Sequence, residues 1–84
     1  MKLVYFSWIR EMVGRDEEEI ELPDEIDTVA KFFIWMAARG EEFENLMQQP
    51  GVIRVALDKQ HASEEHAPLT GVSEIALFPP MTGG

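Results

Sequence analysis

Eighty-four residues set the scale of one domain, and a chain this short removes only about 60% of its unfolded surface from water on folding. An apolar content of 45% with only six glycines excludes a disordered chain. The absence of cysteine excludes a disulfide framework, a thiolate metal site and a Cys nucleophile. Sixteen acidic against seven basic residues, a formal charge of −9, repel a phosphate backbone and exclude nucleic acid as a partner.

No basic segment leads into an apolar run of signal length, and no run approaches about 18 apolar residues. The expected location is therefore the cytoplasm, with no membrane partner. Most of the acidic excess is read as solvated charge; its other use is to steer the domain toward a basic protein surface.

Along the chain, Leu3-Val4-Tyr5-Phe6-Ser7-Trp8-Ile9 is β-branched, aromatic and apolar on both parities, the mark of a central strand. Arg10 to Asp16 breaks the pattern with charges and Gly14 and reads as a short helical turn or loop. Glu17 to Leu22, closed by Pro23, reads as a half-buried strand paired with the first, its three consecutive glutamates indicating an outer position. Asp27 or Thr28 caps a helix running through Arg39, with Val29, Phe32, Phe33, Met36 and Ala37 on one face and Gly40 as its stop. Glu41 to Gln48, with Phe43, Leu46 and Met47 at helical spacing before Pro50-Gly51, gives a short second helix or turn over the first helix's flank. Ile53, Val55 and Leu57 alternate with Arg54, Ala56 and Asp58 as in a strand with one buried face. Lys59 to Gly71 reads as a polar loop anchored by Leu69. Glu74 to Phe78 is the last strand, stopped by Pro79-Pro80.

The resulting order is β-β-α-β-β, and the first and last strands carry the densest apolar runs, so they belong in the middle of the sheet. An α+β domain with one main helix on one face of a mixed sheet, in this order, is the β-grasp (ubiquitin-like) arrangement. It is assigned to residues 1–80, with residues 81–84 as a flexible, extended tail. Alternation turns Leu3, Tyr5, Ile75 and Leu77 toward the helix and leaves Val4, Phe6, Trp8, Ala76 and Phe78 on the opposite face. That second apolar face is expected to dock a partner; coverage by loops or by a second copy is the alternative.

Candidate active sites fail on spacing. His61 and His66 flank Glu64 and Glu65, but they stand at i and i+5, about 140° apart on a helix, rather than at the i, i+4 spacing of a zinc helix. No metal site is expected. Ser63 lacks a nucleophile elbow. Glu17, Glu18, Glu19, Glu41 and Glu42 have nothing in the sequence to bury them and are read as solvated. No bound cofactor and no active site of the chain's own are indicated.

The terminus remains. Pro79-Pro80 fixes two φ angles, and the four residues Met81-Thr82-Gly83-Gly84 can reach about 13 Å at roughly 3.3 Å each. Without Cβ atoms, Gly83 and Gly84 can thread a narrow channel and bring the Gly84 carboxylate to another protein's active site. A glycine pair by itself is equally compatible with a frayed end.

Three motifs in chain order, Arg10-Glu11-x-x-Gly14, Pro68-Leu69-Thr70-Gly71 and Phe78-Pro79-Pro80-Met81-Thr82-Gly83-Gly84, resemble the small subunit of molybdopterin synthase over essentially the whole chain. The resemblance implies a sulfur carrier. An adenylating, E1-like activating enzyme consumes ATP to activate Gly84, a sulfur-donor protein converts it to a thiocarboxylate, and the tail enters the large synthase subunit. There the sulfur passes to a cyclic pterin precursor to build the molybdopterin dithiolene, within a heterotetramer. The carrier is then the sulfur-donating subunit of a sulfurtransferase. Met81, Thr82 and Gly83 would insert, while Phe6, Phe78, Pro79 and Pro80 would dock. Asp58, Ser73 and Met81 depart from the family's usual residues, which bears on one turn and on tail fit. The alternatives are a thiamine-thiazole type carrier, a ubiquitin-like protein modifier, and a non-catalytic β-grasp interaction module.

Overall fold

The computed structural model describes residues 1–48, 53–62 and 67–80. In chain order its elements are β1 (Lys2–Tyr5), α1 (Ser7–Val13), β2 (Glu17–Glu19), α2 (Val29–Ala37), α3 (Glu41–Met47), β3 (Arg54–Leu57), β4 (Gln60–Ala62) and β5 (Glu74–Phe78). The strands form one sheet in the order β2-β1-β5-β3-β4. The β1–β5 pair is parallel and the other pairs are antiparallel, so the expected β-grasp sheet, with first and last strands inside, is what the chain forms.

The inner face follows the alternation of the sequence. Leu3 lies beside Ile75, Tyr5 beside Leu77, and Val55 beside Leu77, and all five are buried. Against them pack Val29, Phe32 and Met36 from α2 and Phe43 and Leu46 from α3 in a single apolar cluster. Thr28 caps α2, its Oγ1 accepting the Lys31 backbone N–H at 3.3 Å, which satisfies one donor left open at the helix start. Phe33 and Trp35 flank the cluster, and Ile34, 73% exposed, lies outside it. α2 stops at Ala37, short of the expected Arg39: the N–H groups of Ala38 and Arg39 donate to the carbonyls three residues back, Trp35 at 3.2 Å and Met36 at 3.0 Å, which tightens the last turn and ends the helix.

Three expectations need correction. The first strand ends at Tyr5, not Ile9: Ser7, with φ 57°, turns the chain left-handed into α1. Trp8 consequently leaves the sheet and packs half-buried against the core, while Ile9 and Val13, four residues apart, are buried. Gly14 (φ 84°) closes the helix by donating its N–H to the Arg10 carbonyl at 2.9 Å, a left-handed cap that suits glycine.

Second, β2 covers Glu17–Glu19 alone, and Leu22 lies beyond it. Third, the polar stretch after Lys59 begins with a strand. Asp58 (φ 49°) and Lys59 (φ 70°) make a two-residue hairpin turn of left-handed residues, and β4 returns along β3. Leu69 is buried as expected.

The Asp58 carboxylate also joins the turn to β5. Its Oδ1 accepts the backbone N–H groups of Ser73 and Glu74, each at 2.9 Å. Only acceptor capacity is used, so an aspartate meets the requirement. Ser73 takes part through its backbone alone, its carbonyl accepting the Lys2 N–H at 2.9 Å. Its side chain is immaterial to that contact.

Candidate functional site: a groove at the root of the tail

β5 is the central strand, and its last residue leads into Pro79-Pro80, so whatever follows leaves from the middle of the sheet rather than from an edge. Gly84, Gly83, Thr82 and Met81 lie outside the described residues. The four expected docking residues lie within them, and the structure brings Phe6, Phe78, Pro79 and Pro80 together as walls of one open groove of about 750 Å³.

Small side chains make this groove. Ala76 lies beside Val4 on one side and Ala56 on the other, and with Ala56 it forms the floor. Ala76 is only 6% exposed although it faces away from the helices, because larger side chains stand around it. Phe6 is 49% exposed, an uncommon placement for a large apolar residue in a chain with so few of them on its surface. Its N–H donates to the Leu77 carbonyl at 3.0 Å, extending the β1–β5 ladder one step before Ser7 turns away. That extra step keeps the ring at the outer face. Ser7, Lys59 and Glu74 complete the lining.

Sequence reasoning missed Ser7, Ala56, Lys59 and Glu74 as members of the site. The parity of β3 relative to β5 would have placed Ala56 there; Lys59 becomes visible only once the hairpin is recognised. The structure also takes Trp8 off this face. His61 was read as part of a polar loop, yet it lies in β4 with its ring centroid 5.9 Å from that of Phe78, tilted by 60°. His66 lies outside the described residues, and among those described no three metal-ligating side chains converge. Also among the described residues, no helix is long and apolar enough to cross a membrane.

On the inner side, Glu18 corrects a further expectation. Its side chain is 12% exposed, not solvated. The Arg39 guanidinium donates to it through Nη1 at 2.9 Å and Nη2 at 2.8 Å, Arg15 Nη1 donates at 3.1 Å, and the buried Tyr5 hydroxyl donates to Oε2. The hydrogen bonds from Arg39 hold the Glu18 carboxyl at about 2, against the opposing effect of burial. Burial, and then the bond to Glu18, push the Tyr5 hydroxyl well above its ordinary value. Arg39 also lies over the rings of Phe43 at 4.5 Å and Trp35 at 5.3 Å. This network joins β1, β2, α2 and α3, faces away from the groove, and is structural.

A second hollow of about 530 Å³ lies at the other end of β1, between Met1, Ile20, Leu69 and the carboxylate-bearing stretch Glu21 to Asp27. Because β1 and β5 are parallel, it is at the end of the sheet opposite the tail root.

A mixed β-grasp sheet with an apolar groove at the foot of its central strand defines a ubiquitin-like domain. Comparison with solved structures agrees. SAMP1 from Haloferax volcanii superposes with a TM-score of 0.72 at 21% identity, covering 100% of this chain and 98% of that one, which speaks to the fold alone. A Pyrococcus furiosus chain provisionally assigned as subunit 1 of a molybdopterin converting factor gives a TM-score of 0.71 at 26% identity, covering 94% of each chain.

The chain belongs to the ThiS family, which it matches over residues 3–84. It is similar along its whole length to proteins named molybdopterin synthase sulfur carrier subunit. The Escherichia coli (strain K12) protein is 34% identical over 84 residues, covering 100% of this chain and 99% of the relative. The Haemophilus influenzae protein is 32% identical with the same coverage. The Caenorhabditis elegans protein is 29% identical over 87 residues, covering 100% of this chain and 96% of the relative.

Proposed function

We propose that this protein is the sulfur carrier subunit of a molybdopterin synthase and that the Gly84 carboxylate is its working group. The observation that carries this reading is the groove of Phe6, Phe78, Pro79 and Pro80 at the point where the central strand releases the tail, in a chain whose curated relatives carry that name over their full length.

A free carboxylate is a poor electrophile with a poor leaving group. Transfer of AMP from ATP to Gly84, with release of pyrophosphate, forms a mixed anhydride at the activating enzyme. Hydrosulfide-level sulfur delivered by a donor protein then attacks the acyl carbon, AMP leaves with loss of a proton, and a thiocarboxylate remains, whose anionic sulfur is a good nucleophile at neutral pH. The groove holds the domain against the large subunit, and Met81, Thr82 and Gly83 carry the sulfur into that subunit's pterin pocket. Holding the sulfur there converts a bimolecular encounter into a positioned reaction. The carrier binds no cofactor of its own in this scheme and contributes the reacting atom to an active site built by its partner.

Reconstitution tests the reading. The thiocarboxylated chain, mixed with the host's large synthase subunit and the cyclic pterin precursor, is expected to yield the pterin dithiolene. Thiazole formation in place of dithiolene would assign the chain to thiamine synthesis, and adducts on lysines of other proteins would make it a modifier.

A further inference from the structure

The outer face of the sheet is unevenly charged. Strand register places Arg54 beside Phe78, and Ala56 beside both Ala76 and His61, so Arg54 and His61 share the face that holds the groove. Lys59, from the β3–β4 turn, lines the groove directly. All three side chains are exposed. Lys2, Arg15, Lys31 and Arg39 are each held by a carboxylate, whereas Arg10 on α1, Arg54 and Lys59 form no salt bridge with a described residue.

At the opposite margin of the same face stand Glu17 and Glu19 of β2, beside Val4 and Lys2. Lys2 is neutralised by Glu17 at 3.1 Å, which leaves Glu19 in excess on that side, while Glu74 lines the groove with Lys59 and, with Asp58 of the same turn, stands against the Lys59 charge. The face therefore runs from acidic at β2, through the apolar groove, to a cationic corner at Arg54, beside Phe78 at the tail root. His61, against the ring of Phe78, joins the basic margin to the apolar centre without a gap.

On a chain of net charge −9, a partner's carboxylates are repelled over most of the surface and attracted at this margin. Resting on the function proposed above, we propose that Arg54 and His61 form the orienting margin of the docking surface, and that the large synthase subunit meets it with carboxylates placed beside an apolar centre. Rim charges of this kind act mainly on the rate and orientation of encounter and are screened by salt. The apolar groove supplies the remaining affinity.

The test measures association of the full chain with the purified large subunit at low and at high salt. Arg54→Glu and Lys31→Glu change the net charge equally, one on the proposed margin and one on α2. Arg54→Glu is expected to slow association about tenfold at low salt and to flatten the salt dependence, with Lys31→Glu within about twofold of wild type. Lys59→Asp, whose left-handed backbone an aspartate tolerates, is expected to slow association less than Arg54→Glu, because Asp58 and Glu74 already stand beside Lys59. Thermal melts establish that each variant is folded. Equal slowing by Arg54→Glu and Lys31→Glu, or no slowing by either, would overturn the margin. Phe6→Ala separates the two levels of the argument: if it weakens binding while Arg54→Glu does not, only the margin is wrong, and if it too binds as wild type, the docking face itself is wrong.

Discussion

The two faces of this sheet are built from alternate residues of the same strands and do opposite things. On β1 and β5, Leu3, Tyr5, Ile75 and Leu77 point inward and are fully packed, whereas Phe6, Ala76 and Phe78 point outward around an open groove. The inner face also holds the polar network Tyr5–Glu18–Arg39, and among the described residues no buried side-chain nitrogen or oxygen lacks a partner. The outer face is apolar around Ala56, Ala76, Phe6 and Phe78, with its charges, Glu74 on β5 among them, set about that centre. Folding free energy is thus concentrated on one side, and the other side is left able to change without unfolding the domain. Substitutions on the two faces should separate stability from partner binding.

The largest stability effect is expected from Leu77→Ala. Leu77 is fully buried on the central strand between Tyr5 and Val55, and truncation leaves a cavity in a small core, so the loss should be about 3–4 kcal/mol by urea denaturation. A loss below about 1 kcal/mol would mean that the inner face is not where the fold is held.

Glu18→Gln should cost about 2 kcal/mol, because it leaves the Arg39 guanidinium partly buried without its counter-charge. The same residue governs acid behaviour. The folded carboxyl titrates near 2 and the unfolded one near its ordinary value of 4.5, so the unfolded chain takes up the proton first as pH falls. The stabilisation is present above about pH 4.5 and is lost progressively down to about pH 2. Urea midpoints measured across that window should drop steeply for the wild type and more shallowly for Glu18→Gln. Parallel curves would contradict the role assigned to the network.

The smallest stability effect is expected at Phe6. With half its surface already in water and its backbone bond to Leu77 kept, Phe6→Ala should shift the unfolding free energy by no more than about 0.5 kcal/mol. A large destabilisation would make Phe6 a core residue and erase the contrast between the faces.

Much of the fold was legible because periodicity maps directly onto burial. Val29, Phe32 and Met36 marked α2, Phe43 and Leu46 marked α3, and Ile75 and Leu77 with Pro79 gave β5 to the residue. What escaped depended on backbone dihedrals that composition does not advertise. Ser7-Trp8-Ile9 has the residue types of a strand, and only a left-handed serine converts it to a helix; the spacing of Ile9 and Val13 was the available sign. β4 has no apolar alternation, and its one signal was the pair Asp58-Lys59 in a tight turn.

Glu18 was hidden for a different reason. In a run of three glutamates the middle one is indistinguishable until β2 is set against β1 and its parity sends it toward Arg39, 21 residues away. The groove side chains Phe6 and Phe78 could be read from parity alone, while the alanine floor and the proposed Arg54–His61 margin required the strand order and register.

The central claim, that Gly84 is a tethered substrate for other proteins' active sites, is tested most directly by intact-mass measurement. The chain is incubated with the host's activating enzyme, ATP and a sulfur donor. The account predicts a mass increase equal to the replacement of one oxygen by sulfur, located at Gly84 and abolished by removal of Gly83-Gly84. An unchanged mass, with synthase activity surviving that truncation, would contradict it.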